Sequence, residues 1–114
     1  PSLNPGAAVT VAVECEGGFA GFSGLGERGK PMEEVALEPC EEFMAWWKTG
    51  AACDEHLADQ LVLPMSLAKG ESRWTSPVVT EHLRTVLWVV QHFLPIDSVI
   101  EECEVGSMVT LRPA

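Results

Sequence analysis

The chain has 114 residues, enough for one small domain with its own core, and 46% of them are hydrophobic. Seventeen Asp and Glu outnumber seven Lys and Arg, so the formal net charge is -10 at pH 7. This balance argues against a nucleic-acid binder that works by bulk electrostatics, because neutralising phosphates requires clustered Lys and Arg. No run approaches the roughly 18 to 20 consecutive apolar residues of a membrane span, so we expect no membrane partner.

The four cysteines are far apart in the sequence and form no C-x-x-C pair: Cys15, Cys40, Cys53 and Cys103. No His-x-x-x-His spacing accompanies them, so the sequence predicts no zinc site and no metal ligand set. Reduced thiols in an intracellular protein are the simplest interpretation.

The chain opens with a predicted β-hairpin. Val9, Val11 and Val13 alternate with Thr10, Ala12 and Glu14, which is the period of a half-buried strand, and residues 19–23 can pair with it across Gly17-Gly18.

A first helix is predicted from Pro31, which suits an opening turn, toward Gly50. Pro39 lies inside it, so we expect a kink or a restart there. A second helix is predicted from its N-cap Asp54 to about Ala68.

A third helix, capped by Thr80 and ended by Pro95, has the most regular apolar stripe. Short strands are predicted at 73–76, 96–105 and 107–111, the last two joined around Gly106-Ser107. The order β-β-α-α-β-α-β-β predicts a single α+β domain over 1–114, a two-layer sandwich with helices on one face of a mixed sheet.

His82 lies two residues after Thr80, in the first turn of the third helix. A helix N-terminus attracts phosphate and disfavours a protonated imidazole, and a nucleophilic histidine needs both effects. Position alone nevertheless favours a histidine that merely tops an apolar helix.

His56, Asp59 and Gln60 are spaced i, i+3 and i+4, so they share one face of the second helix. That face could be plain solvated surface or the contact surface of a ligand.

Two motifs decide between these interpretations: DEHLADQLVLP at 54–64 and TEHLRT at 80–85. They resemble the motifs D/GE-x-LADQL-x-LP and HL-x-TN of the RNA 3'-terminal phosphate cyclase family, and the resemblance extends from residue 8 to residue 95. One departure is Val86, which stands where the family usually has asparagine.

The resemblance implies that His82 attacks ATP to form a covalent histidine-AMP intermediate. AMP would then pass to an RNA 3'-phosphate, and the vicinal 2'-hydroxyl would displace it to give a 2',3'-cyclic phosphate. The implied cofactors are ATP and a divalent cation, magnesium or manganese. Asp59 and Gln60 would lie beside the nucleotide and His56 near the adenine. Whether Asp59 orients His82 or helps to hold the cation stays open.

The resemblance also implies a cytoplasmic, ATP-dependent enzyme of the ligase type, with a unit similar to the C-terminal domain of translation initiation factor three. Family members are considerably longer and carry a glycine-rich signature and arginines upstream. We therefore expect this chain to be a C-terminal portion, inactive alone, whose partners are the missing N-terminal part and RNA with a 3'-phosphate.

Two alternatives remain. A non-catalytic cyclase-like protein could act as a binding module in ribosomal RNA processing; His82 argues against it, whereas Val86 keeps it open. An unrelated small α+β interaction domain is the other.

The segment GLGERGK at 24–30 matches a dinucleotide-binding glycine pattern and most of a P-loop. A P-loop needs Ser or Thr after the lysine to bind magnesium, and Pro31 supplies no hydroxyl. We therefore predict a tight connecting loop, in which Arg28 and Lys30 could contact RNA or phosphate.

Overall fold

A computed structural model describes residues 5–114. The described residues form two compact units, one ending at Lys48 and the other Thr49–Ala114, whereas the sequence predicts one domain over 1–114. The elements in the described residues are β1 Ala8–Cys15, β2 Gly18–Leu25, α1 Met32–Thr49, α2 Glu55–Gln60, α3 Val62–Ser66, β3 Ser72–Ser76, α4 Glu81–Phe93, β4 Ile96–Cys103 and β5 Gly106–Pro113.

The first unit contains the predicted hairpin, which is confirmed: β1 and β2 pair antiparallel, with Val11 opposite Phe22. A small core forms where Ala20 and Phe22 of the hairpin meet Trp46 of α1. The ring centroids of Phe22 and Trp46 are 5.7 Å apart. A two-stranded ribbon is marginal by itself, so this helix-covered face is what stabilises it.

The helix α1 continues through Pro39 as one helix, so of the kink or restart that we expect from the sequence the restart does not occur. Pro39 has no N–H for the carbonyl of Val35 four residues earlier. Gly24 of β2 lies against this point: a Cβ placed on it would collide with the Val35 carbonyl and lie 3.0 Å from Cδ of Pro39. The buried proline is thus tolerated because it packs tightly against a strand without a side chain there.

The second unit is a layer of helices on a three-stranded sheet in the order β3-β5-β4. Its core joins the three helices to one face of the sheet; the buried members are Cys53, Ala58, Val62, Trp74, Leu83, Leu87, Ile96, Val109 and Leu111. The α+β sandwich is therefore confirmed. Both sheets of the described residues are antiparallel throughout, in contrast to the mixed sheet that we expect from the sequence.

The predicted second helix is divided, which corrects the single helix expected from Asp54 to Ala68. A turn at Leu61 separates α2 from α3. Pro64 lies in α3 and offers no N–H to the carbonyl of Gln60, so a continuous hydrogen-bond ladder cannot form across the turn. The predicted N-cap is confirmed, since Oδ1 of Asp54 accepts from the backbone N–H groups of His56 and Leu57, both at 2.9 Å.

The third predicted helix, α4, is confirmed with its cap: Oγ1 of Thr80 accepts from the backbone N–H of Leu83 at 3.1 Å. The β4–β5 connection is two residues, 104–105, and Gly106 with φ +128 opens β5, so the turn falls two residues earlier than expected. In residues 5–114 no helix has both the length and the apolarity to cross a membrane.

Candidate active site

His82 and Asp59 form the centre of the candidate site. The Nδ1 atom of His82 lies 2.9 Å from Oδ2 of Asp59. The two side chains differ sharply in exposure, 73% for His82 and 10% for Asp59. A mostly buried carboxylate thus holds an imidazole that otherwise projects into solvent.

The two residues reach each other because their helices are both capped and both packed on the sheet. Asp54 fixes the start of α2, five residues before Asp59, and Thr80 fixes the start of α4, two residues before His82. Ala58, beside Asp59, and Leu83, beside His82, are completely buried in the same core. The pairing is therefore a consequence of core packing and not of a surface encounter.

The imidazole geometry suits nucleophilic chemistry. Because Nδ1 donates to a carboxylate, the Nε2 atom is the ring nitrogen that keeps its lone pair. His82 also lies in the first turn of α4, where free backbone N–H groups and a partial positive charge favour a phosphate. The arrangement can therefore present an oriented imidazole nitrogen to an electrophilic phosphorus.

The other two predicted site residues do not join this pair. The His56 side chain is 76% exposed, and its Nε2 lies 3.6 Å from Oε1 of Glu55. Gln60 is exposed at the end of α2. Within the part of the chain that is described, Asp59 is the one of the three whose side chain pairs with His82.

We searched the candidate site for side chains that could hold a metal ion. Across residues 5–114, no three side chains of His, Cys, Asp or Glu are close enough to hold a metal ion. Asp59 is already engaged by His82, and this contact favours the orienting role among the two that the sequence leaves open.

From Gly26 to Lys30 the glycine-rich segment is a connecting loop, as predicted, whereas Gly24 and Leu25 are the end of β2. Gly26 donates its backbone N–H to the carbonyl of Ala7 at 2.8 Å. Nζ of Lys30 lies 2.5 Å from Oε1 of Glu38, and this hydrogen bond raises the pKa of Lys30. The lysine that a phosphate loop would direct at a nucleotide is therefore bound to a carboxylate of α1.

The sequence does not predict the hydrogen bonds of two buried side chains. Trp74 of β3 donates a hydrogen bond to the carbonyl of Ala58, next to Asp59, and Ser76 donates one to the carbonyl of Val78, in the loop before α4. Their spacing of two on a short strand indicated only that they share a face; nothing in the sequence identified their partners.

Comparison with known proteins gives one consistent result. The family model of RNA 3'-terminal phosphate cyclase matches residues 4–100. A protein of that name from Pyrobaculum neutrophilum is 44% identical over 100 residues, covering 87% of this chain and 29% of the relative. Proteins of the same name from Methylococcus capsulatus and Methanopyrus kandleri are 42% and 40% identical, covering 89% and 85% of this chain and 28% of each relative.

The chain thus spans less than a third of the length of these curated relatives. The match includes both motifs and the residues of the Asp59–His82 pair. The chain belongs to the RNA 3'-terminal phosphate cyclase family.

Proposed function

We propose that this chain carries the nucleophile of an ATP-dependent RNA 3'-terminal phosphate cyclase. The observation that carries the proposal is the pairing of exposed His82 with mostly buried Asp59 at the start of α4. Family membership supplies the reaction class, because the relatives bear the name of that activity.

In the first step, the lone pair of Nε2 of His82 forms a bond to the α-phosphorus of ATP. The bond from that phosphorus to the oxygen of the pyrophosphate group breaks, and its electron pair leaves with pyrophosphate. The imidazole becomes cationic while its Nδ1 proton stays shared with Asp59, so the carboxylate stabilises the charge that develops. Free N–H groups at the start of α4 favour the negative phosphoryl oxygens.

In the later steps, an oxygen of the RNA 3'-phosphate attacks the histidine-bound AMP and releases His82. The vicinal 2'-hydroxyl then loses its proton to solvent as its oxygen attacks the activated 3'-phosphorus, and the bond to AMP breaks with its electron pair leaving on AMP, which closes the 2',3'-cyclic phosphate. Magnesium or manganese, bound with the nucleotide, would offset the charge of the triphosphate. Gln60 and His56, both exposed and close to Asp59 in the sequence, remain our proposed nucleotide contacts.

We also propose that the active site within this chain is incomplete. We propose that these 114 residues do not catalyse alone, and that the remaining contacts to ATP and RNA come from sequence that the longer relatives possess. The four free cysteines of the described residues fit a reducing compartment, which supports our proposed cytoplasmic location.

The experiment uses the full product of the reading frame that encodes this chain, incubated with ATP labelled at the α-phosphate and with magnesium or manganese. Label should attach covalently through a bond that acid breaks and base spares. His82→Ala should reduce the label to background, whereas His92→Ala, an exposed histidine of the same helix, should keep it. Equal labelling of the His82→Ala protein would refute the assignment. Failure of the unaltered protein to label, while the Pyrobaculum neutrophilum relative labels in parallel, would favour the non-catalytic binding module in ribosomal RNA processing.

A further inference from the structure

Side chains of the strand β3 donate hydrogen bonds to the backbone of Ala58, next to Asp59, and of Val78, four residues before His82. Trp74 and Ser76 are two residues apart on this strand, so their side chains point to the same face. Trp74 is 5% exposed and Ser76 is completely buried. A fully buried hydroxyl and an indole N–H are costly unless each finds a partner.

Trp74 fixes the peptide unit that leads into Asp59. Its Nε1–H donates to the carbonyl oxygen of Ala58 at 3.1 Å, and this hydrogen bond is buried. The carbonyl of Ala58 and the N–H of Asp59 belong to one planar peptide group. A hydrogen bond to this carbonyl oxygen therefore also restricts the orientation of the Asp59 backbone and the direction of its side chain. The backbone carbonyl of the neighbouring Thr75 accepts from the backbone N–H of Cys53 at 3.1 Å, which ties the same strand to the residues just before α2.

Ser76 fixes the loop that leads into His82. Its hydroxyl donates to the carbonyl oxygen of Val78 at 2.8 Å, two residues before the cap Thr80. From the other side, Gly106 lies so close that a Cβ would collide with the carbonyl of Ser76 and lie 2.6 Å from that of Pro77. The loop therefore has little room to move away from the strand.

We infer that Trp74 and Ser76 are positioning residues, which set the separation of Asp59 and His82 by attaching both supporting segments to one strand. Neither touches the reacting atoms. The inference rests on the proposed function for its consequence in catalysis, but the geometry of the His82 ring can be measured without any reaction.

The test compares Trp74→Phe and Ser76→Ala in the full product of the reading frame. Phenylalanine keeps an aromatic ring and removes the N–H donor, and alanine removes only the hydroxyl. Two quantities are followed: the single-turnover rate of AMP attachment with its half-saturating ATP concentration, and the fraction of His82 in the Nδ1–H tautomer, from the ¹⁵N shifts of its ring.

Each variant should slow AMP attachment about tenfold, less than the ~10²-fold that a misplacement of 1 Å can cost. The half-saturating ATP concentration should stay within about twofold, because ground-state binding is not what these residues serve. The Nδ1–H tautomer should fall in parallel, since the hydrogen bond to Asp59 selects it.

Ser66→Ala is the matched control. Ser66 is also a buried serine of the second unit whose hydroxyl donates to a backbone carbonyl, that of Val62 at 2.5 Å, but it supports neither member of the pair. It should leave the rate and the tautomer unchanged. Equal losses in all three variants would mean general destabilisation and would overturn the inference, as would wild-type rate and tautomer in both β3 variants.

The two proposals fail in different ways. If His82→Ala labels normally, the proposed function is wrong, and the tautomer fractions alone then decide the positioning inference. If His82→Ala abolishes labelling while the β3 variants match the unaltered protein in both quantities, the function stands and the positioning inference is wrong.

Discussion

At the scale of single residues, the unequal burial of Asp59 and His82 explains how one pair can combine stability with reactivity. The carboxylate is sheltered, so its hydrogen bond to Nδ1 is less screened by water than a surface pair would be. The imidazole edge that carries Nε2 remains open to a substrate. The sequence allows Asp59 a place on a solvated face, and only the structure shows that it is turned toward α4.

Replacing Asp59 with asparagine tests the charge of this pair. The asparagine side chain would keep the volume but would no longer stabilise a cationic imidazole, so AMP attachment should fall by roughly 10²-fold or more. The thermal midpoint should move by only a few degrees, because the partner imidazole is exposed and can be solvated. Asp97→Asn, the same substitution at an exposed position of β4, is the control and should leave labelling unchanged. Normal labelling of the Asp59→Asn protein would show that Asp59 does not orient His82 for catalysis.

Cysteine reactivity provides a second prediction at this scale. Burial, together with the nearby charge of Asp54, raises the pKa of the Cys53 thiol. Less thiolate is therefore present at neutral pH than for an ordinary cysteine, and the thiolate is the reactive form. Alkylation of native protein near pH 7.5, a condition chosen about one unit below the usual thiol pKa of ~8.5, should modify exposed Cys40 and Cys103 well before Cys53.

Peptide mass mapping over time measures this order, and all four cysteines should react alike in denaturant. Early modification of Cys53 in the native state would contradict the burial described for the second unit.

At the scale of elements, the sequence predicted what local chemistry determines and missed what tertiary contacts decide. The caps Asp54 and Thr80 were predictable because a side-chain oxygen and nearby backbone N–H groups are sequence neighbours. The continuity of α1 was not predictable, since Pro39 is accommodated by Gly24, which is distant in the sequence. The hydrogen-bond acceptors of Trp74 and Ser76 were likewise not predictable, because they depend on how the chain packs.

Gly106 tests the close contact between the start of β5 and the loop before α4. Its φ of +128 and its contact with the carbonyls of Ser76 and Pro77 leave no space for a Cβ. Gly106→Ala should therefore destabilise the second unit by about 1–3 kcal/mol, the usual range for backbone strain. Gly70→Ala is the control, because a Cβ there meets nothing within 4 Å. Denaturant unfolding measures both, and equal stability of the two variants would contradict this account of the loop.

At the scale of the whole molecule, charge limits what the chain can bind by itself. The net charge is -10, and several of its seven basic residues are already paired. Lys30 is bound to Glu38, while Nε of Arg73 and Nε of Arg112 both lie 2.6 Å from oxygens of Glu71. Loss of hydration acts to raise the pKa of Glu71, but its hydrogen bonds to the two arginines together outweigh this and hold the pKa below its ordinary value. The other four basic residues are far outnumbered by the acidic ones, which leaves no net positive charge for a triphosphate or an RNA backbone.

We therefore predict that the 114 residues alone bind no ATP at micromolar concentration in a calorimetric titration. Their circular dichroism should still show the mixed α and β signal of a folded chain, because each unit has its own core. The full product of the reading frame should bind ATP in the same titration. Micromolar binding of ATP by the isolated chain would mean that its own side chains suffice, which the paired arginines argue against.

The most direct test of the central claim is to locate the attached AMP. The full product of the reading frame is incubated with ATP and magnesium or manganese, digested near neutral pH or above so that a phosphoramidate survives, and sequenced by tandem mass spectrometry. We predict that AMP is attached to His82 and to neither His56 nor His92. AMP on another residue, or a His82→Ala protein that acquires AMP as readily as the unaltered one, would contradict it.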